Sequence, residues 1–449
     1  MREANLKENN LLKQEAVRQT FFRYAIPSVI TMLFFGFQNV VDGLVVGNHV
    51  GFEGLGGLNI VLPLYSIIMV IALTVGIGSQ TLVSRGIGKG DIAASQTAMT
   101  TVFFALAGIG LLATLLLYFF REEVVTMLGG KGNLFPHAMG YYTGLILFMI
   151  PISLCLYSDL MLKGLGHPLF SMLTMSLAVL LNIALDLFFV IWLDMGTMGA
   201  SIATGLAFCF GLLLSSRITF SPKRKISMLK GRFSWPVFRR SVYNGSSEGV
   251  SELSSAIGIL IINIAMVNTV GVEGVAAFTA VNYVNFMGVL IFLGISDGLI
   301  PVLSYSYGAS DFNRVRAIFR FAARSNLVIG IFVFTILQLW GSDVTGLFFE
   351  EDTDSNVLDL SSRGMQIFSF VFLANGLNIL ITSLFTSLGK AFNSIIIAVL
   401  RGMVFVAIGV VFLPHYFGVS GIWLSIPIAE ILTLCFALIL LNIALKKLN

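Results

Sequence analysis

Asp186 is the one charged residue in LLNIALDLFFVIW, residues 180–192, and Asn182 precedes it by one helical turn. Asp42 is equally isolated among apolar neighbours, with Gln38 one turn before it. Carboxylates in such surroundings are costly unless neutralised, and inside a membrane they mark ion or proton paths. Taken as helices, the two segments set Asp42 and Asp186 about six and seven residues from the outer ends of their spans, which at ~1.5 Å per residue is one depth. Tyr141 and Tyr142 in the fourth span and Thr204 in the sixth reach that same layer. Two acids in one low-dielectric pocket resist double ionisation, so the set can take up a proton near neutral pH. Sodium could instead use the carboxylates together with the Asn182 and Thr204 oxygens. The structural alternative is that each Asp bonds another helix privately.

A second set of charges follows later in the chain. Glu248 and Glu252 are one turn apart on the seventh span, Glu430 lies mid-span in the twelfth, and Arg401 lies inside the eleventh, with Asn375 and Asn378 in the tenth. An arginine in lipid demands a partner, so one reading is an Arg401–glutamate pair that holds helices together. The other is a second coupling-ion or cationic-drug site. Asp297, near the inner end of the eighth span, reaches solvent or an inner arginine, and Asp159, one turn from Lys163, reads as an interfacial residue.

Positioning these groups requires helices in a bilayer. Of 449 residues, 57% are hydrophobic and 11% charged, where a soluble protein carries roughly 25% charged residues. Apolar runs long enough to cross ~30 Å of hydrocarbon recur at 24–47, 55–80, 96–119, 138–162, 169–193, 198–219, 242–268, 275–300, 316–340, 360–388, 394–413 and 419–445. The short alternation of barrel strands is missing, so the fold class is all-α integral membrane with twelve transmembrane helices. Pro27 falls in the first span, where its missing N–H and its ring can kink the helix.

Basic residues gather on alternate connections: Arg85 and Lys89, Lys163, the run from Arg217 to Arg240, Arg314 to Arg324, Lys390, and Lys446 with Lys447. The other connections keep Arg121, Lys131 and Arg363 beside acids such as Glu122, Glu123 and the cluster at 350–354. This bias puts both termini in the cytoplasm. The most basic stretch, 221–241, reads as a cytoplasmic linker rather than a nucleic-acid patch. It separates lobes at 1–220 and 242–449. Those lobes repeat: shifted by 220, NHVGFEGLGG from Asn48 meets NTVGVEGVAA from Asn268, and GSQTLVSRGIGKGD from Gly78 meets GLIPVLSYSYGASD from Gly298. Six spans per half give both copies one orientation, related by an axis along the membrane normal, an arrangement suited to opening toward either side in turn.

Pro27, Asp42, the GIGSQTLVSRGIGKGD segment with its echo, NIALD, LRG at 400–402 and GVSGIWLSIPIAE, in that order, resemble the multidrug and toxic compound extrusion (MATE) family across essentially the whole chain. The resemblance implies two pseudo-symmetric six-helix lobes and export of bulky cationic or amphipathic drugs, driven by inward flow of protons or sodium ions. It also implies a first-half cation site at Asp42, Asn182, Asp186 and Thr204, with one of the two tyrosines. The chain departs from a family pattern that pairs a span-seven glutamate with a span-ten aspartate, since the tenth span offers Asn375 and Asn378 instead.

Other functions fit less well. GISDG at 294–298 matches the nucleophile elbow of hydrolases but sits in an apolar helix, and the four histidines are scattered. With no phosphate-binding loop, ATP is not the direct energy source. Cys155, Cys209 and Cys435 lack metal or redox spacing. A lipid-linked oligosaccharide flippase shares the architecture, but its cavity needs several Arg and Lys, and Arg401 stands alone against Asp42, Asp186, Glu248, Glu252 and Glu430. A channel is the third class; uphill transport excludes it. The expectation is a monomeric exporter in a bacterial cytoplasmic membrane, with no cofactor beyond its coupling ion, H+ or Na+, and no structural metal.

Overall fold

The computed structural model describes residues 16–349 and 354–446, all helix and connecting turns. Eleven of the described helices are long and apolar enough to cross a membrane, and a bent pair supplies a twelfth. They are α1 (Val17–His49), α2 (Phe52–Lys89), α3 (Ile92–Phe119), α4 (Leu134–Leu147 with Met149–Gly164), α5 (Pro168–Trp192), α6 (Gly196–Thr219), α7 (Trp235–Thr269), α8 (Val272–Gly308), α9 (Phe312–Gly346), α10 (Ser355–Ser387), α11 (Ala391–Phe417) and α12 (Val419–Lys446). Residues 350–353 of the acidic cluster and Lys447 lie outside the described residues.

Local sequence explains the breaks in these helices. The fourth span, read as one segment over 138–162, is bent by 56° between its two halves. Pro151 has no N–H to give the Leu147 carbonyl, so the ladder cannot run through Phe148. In α5 the helix widens to π geometry at Leu187–Trp192, directly after Asp186, and in α11 a π turn at Leu400–Val404 contains Arg401. Such one-turn bulges re-aim side chains at functional positions. α1, in contrast, remains α-helical through Pro27.

The internal repeat has a structural cause. Gly51 and Gly271 both turn the chain at positive φ, +86° and +94°, which glycine adopts without strain. Asp91 and Asp311 both cap the following helix, accepting from the N–H of Ala94 at 2.9 Å and of Arg314 at 3.0 Å. Burial repeats as well: 17% of the apolar window is buried in each of the equivalent helices α3 and α9, against 78% in α10. The first two present lipid-facing surfaces; the last is interior.

By internal packing the described chain forms two units, residues 30–245 and residues 16–29 with 246–446. These limits differ from the sequence reading of 1–220 and 242–449. The opening turns of α1 pack in the second unit, where a Cβ on Gly298 of α8 would come within 2.7 Å of the Tyr24 carbonyl and the Ser28 hydroxyl. The opening turns of α7 pack in the first, where a Cβ on Gly78 of α2 would overlap the Ser241 carbonyl. Gly78 and Gly298 are repeat equivalents, each set where a helix backbone must approach. The stretch read as a linker is also fixed to the first unit. Gln96 donates to the Ser227 carbonyl at 3.0 Å, and the N–H groups of Gly231 and Ser234 donate to Thr100 and Thr101 at 2.9 and 3.0 Å.

Candidate functional site

In the first unit, α1 supplies Gln38 and Asp42 one turn apart, and α5 supplies Asn182 and Asp186 in the same spacing. Asp186 is wholly buried, and neither of its carboxylate oxygens meets a donor at hydrogen-bonding geometry. It lies beside Asp42, with Asn182 against it and Gln38 against Asp42. Asn182 donates to the Thr204 hydroxyl at 3.3 Å, which in turn donates to the Ala200 carbonyl at 3.1 Å. The sequence set Asp42, Asn182, Asp186, Thr204 and Gln38 therefore converges.

The tyrosines separate. Tyr141 lies within electrostatic reach of both aspartates. Tyr142 turns away, its hydroxyl donating to the Leu117 carbonyl of α3 at 2.8 Å, because adjacent residues on a helix point about 100° apart. Sequence reasoning missed Tyr65 of α2, which stands near Asp42 and Tyr141. It lies too far from the end of α2 for a count of residues to bring it into the layer. No Lys, Arg or His figures among these neighbours. Two carboxylates with no counter-charge, an amide and a hydroxyl make an all-oxygen donor set that can share a proton or hold a hard monovalent cation.

In the second unit the carboxylate is provided for differently. Glu430 accepts from Asn375 at 2.7 Å and from Asn378 at 2.6 Å, and Asn378 also donates to the Glu430 backbone carbonyl at 2.8 Å. Arg401 Nη1 stands 3.6 Å from the Glu430 carboxylate, while Nη2 donates to Ser251 at 3.1 Å. This meeting of α7 with α11 depends on glycine: a Cβ on Gly258 would overlap the Gly402 carbonyl, and one on Gly402 would lie 2.8 Å from the Ser254 side chain. Glu248 lies near Glu252, Asp297 and Arg401. Asp297, read as reaching solvent or an inner arginine, is half-buried and lies within electrostatic reach of Glu248. A cavity of about 490 Å³ opens in this unit, lined by Glu252, Asn282, Tyr283, Phe286, Arg401 and Glu430 among others.

One further sequence reading changes. Asp159 is no interfacial residue: it and Lys163 are buried, joined at 2.9 Å, and Ser171 donates to the second Asp159 oxygen. The polar face of α5 supplies that third partner, which a local i, i+4 reading could not include. The GISDG stretch lies within helix α8, as its apolar sequence indicated.

The MatE family model matches residues 27–188 and, a second time, 253–413. The multidrug export protein MepA of Staphylococcus saprophyticus is 23% identical over 94% of this chain and 92% of its own. The protein of the same name from Staphylococcus aureus strain MSSA476 is 20% identical over 97% of this chain and 96% of its own. Among solved structures, the outward-facing conformation of a multidrug resistance MATE family transporter of the MOP superfamily is similar with a TM-score of 0.92 at 21% identity, covering 98% of each chain.

Proposed function

We propose, because this chain belongs to the MatE family of membrane transporters and is not an enzyme, that it is a secondary active multidrug exporter. It exchanges cationic or amphipathic organic compounds for H+ or Na+ by alternating access. The observation that carries the reading is the Asp42/Asp186 pair: a fully buried carboxylate beside a second one, with no well-aligned donor on its oxygens and no cationic neighbour among the described residues. Such a pair makes the ion-free state costly, so the site fills whenever it faces a compartment that supplies the ion. Occupancy then biases which state the transporter prefers. Asn182 adds an amide oxygen to the set beside Asp186, and Pro27 gives α1 a point at which to change shape between states.

Cargo occupies the cavity of the second unit. Its volume of about 490 Å³ suits a drug-sized molecule. Glu252 and Glu430 outnumber Arg401 in its lining, which supports positively charged cargo over the pyrophosphate of a lipid-linked sugar. The protein works as a monomer in a bacterial cytoplasmic membrane with both termini inside, a reading supported by the Lys/Arg bias of alternate connections.

The test is efflux of ethidium from vesicles holding the purified full chain, with a proton gradient and a sodium gradient imposed separately. Uphill movement under one of them identifies the coupling ion. Failure of both to drive it rejects the antiport reading.

A further inference from the structure

The stretch that joins α6 to α7 is held more firmly than a solvated connection requires. Ile226, Ser227 and Met228 are buried, and the Met228 N–H donates to the Thr219 carbonyl at 2.8 Å. Backbone groups at Ser227, Gly231 and Ser234 bond to Gln96, Thr100 and Thr101 of α3. With that side fixed inward, the remaining side chains face out. Lys223, Lys225, Lys230, Arg232, Arg239 and Arg240 are exposed, and among the described residues no ion pair ties up any of them. The chain carries no Asp or Glu between Asp194 and Glu248. Among these cations stand Leu229, Phe233 and Trp235, each more than half exposed. Leu229 and Phe233 belong to neither helix, so the need to span hydrocarbon does not explain them.

Their level does. Gln96, Thr100 and Thr101 lie in the opening turns of α3, where its apolar run begins, so the stretch rests at the boundary between water and hydrocarbon. Aromatic rings settle at that boundary, and Lys and Arg there meet the phosphates of an anionic leaflet. A soluble acidic protein would match the charges but not the rings, which lipid already covers at that level. We propose that the stretch is a binding surface for anionic phospholipids. Lys230, Arg232, Arg239 and Arg240 pair with headgroup phosphates, while Phe233 and Trp235 lie among the upper acyl carbons. Because the backbone is already fixed, binding orders little more than side chains. The surface lies wholly within the first unit and stands apart from the cargo and coupling-ion readings.

The test reads Trp235 directly. The purified full chain is placed in phosphatidylcholine vesicles that hold a minor share of either phosphatidylglycerol or phosphatidylcholine brominated near the headgroup end of its acyl chains. Bromine quenches nearby tryptophan, and subtracting the signal of Trp235→Phe removes the contribution of the other tryptophans. Brominated phosphatidylglycerol is expected to associate at least about fivefold more strongly than brominated phosphatidylcholine, the worth of a single Lys or Arg at an anionic surface. Raising the salt from about 0.1 M to about 1 M should bring that ratio below about twofold, because exposed charges are screened. The combined variant Lys230→Gln/Arg232→Gln/Arg239→Gln/Arg240→Gln should do the same. Its melting temperature shows whether it folds, and the salt comparison needs no variant. A wild-type ratio short of the expected preference overturns the proposal. So does a ratio that stays above the lower limit in high salt or in the folded variant. Quenching of Trp235 by neither lipid also overturns it, and points to a soluble acidic protein instead.

Discussion

Asp186 in the first unit and Glu430 in the second are both nearly inaccessible carboxylates inside membrane helices, at 0% and 4% exposure. Asp186 has another acid beside it, and its amide neighbour Asn182 makes no well-aligned hydrogen bond to it. Glu430 has two asparagine amides and a guanidinium. Equal burial thus leaves opposite states. Charge on the bare carboxylate is expensive, so the quantity free to vary is its ion or proton content. Charge on the satisfied one is compensated, and its removal leaves donors stranded. Nor are the two sets related by the repeat: the shift of 220 carries Asp42 to Ile262 and Glu252 to Met32. The duplication copied a scaffold of turns, caps and close helix approaches, and each half placed its charges separately.

The largest effect should come from Asp186→Asn. It keeps the shape but cannot gain a proton or hold a cation strongly, so gradient-driven efflux in vesicles should vanish while the melting temperature does not fall. Asp42→Asn should match it, and the double variant should be little worse than either, as for two groups acting as one site. Full efflux by Asp186→Asn would break the contrast. Glu430→Leu should do the reverse, costing about 3–5 kcal/mol because Arg401 and two amides lose their acceptor. Arg401→Gln forfeits one hydrogen bond and the 3.6 Å ion contact but leaves Glu430 its two amides, so it should cost less, about 1–2 kcal/mol. Thermal denaturation of the two in one detergent would test the order; equal losses would mean that Arg401 is the main structural partner.

Smaller effects sharpen the scaffold side of the comparison. Gly78→Ala puts a methyl onto the Ser241 backbone and should destabilise by about 1–3 kcal/mol, more than Gly298→Ala, where the nearest atoms stand at 2.7 Å and one is a rotatable hydroxyl. The reverse order in melting temperature would reject this account of the repeat glycines. Smallest of all, Tyr142→Phe should cost about 0.5–1.5 kcal/mol through its lost bond to Leu117 and leave ion coupling unchanged. Tyr141→Phe should alter coupling with little loss of stability. Coupling lost in Tyr142→Phe would reverse the choice of tyrosine.

The sequence by itself determined the solvent, the helical class, the repeat and the layer shared by Asp42, Asn182, Asp186 and Thr204. Those follow from one-dimensional quantities: apolar run length, a fixed rise per residue and the spacing of four that stacks residues on one helix face. Counting along a helix gives depth but not azimuth. The sequence therefore left Tyr141 and Tyr142 undivided, overlooked Tyr65, and put Asp159 at an interface when Ser171 and Lys163 enclose it. Packing decided these, because whether a side chain faces a carboxylate or a carbonyl depends on which helix lies against it. It also set the contacts of Glu430 and Arg401. Their residue types fit an ion pair or a binding site equally well, and only the asparagines of α10, brought by the fold to within 2.7 Å, satisfy the glutamate and leave the arginine fork open.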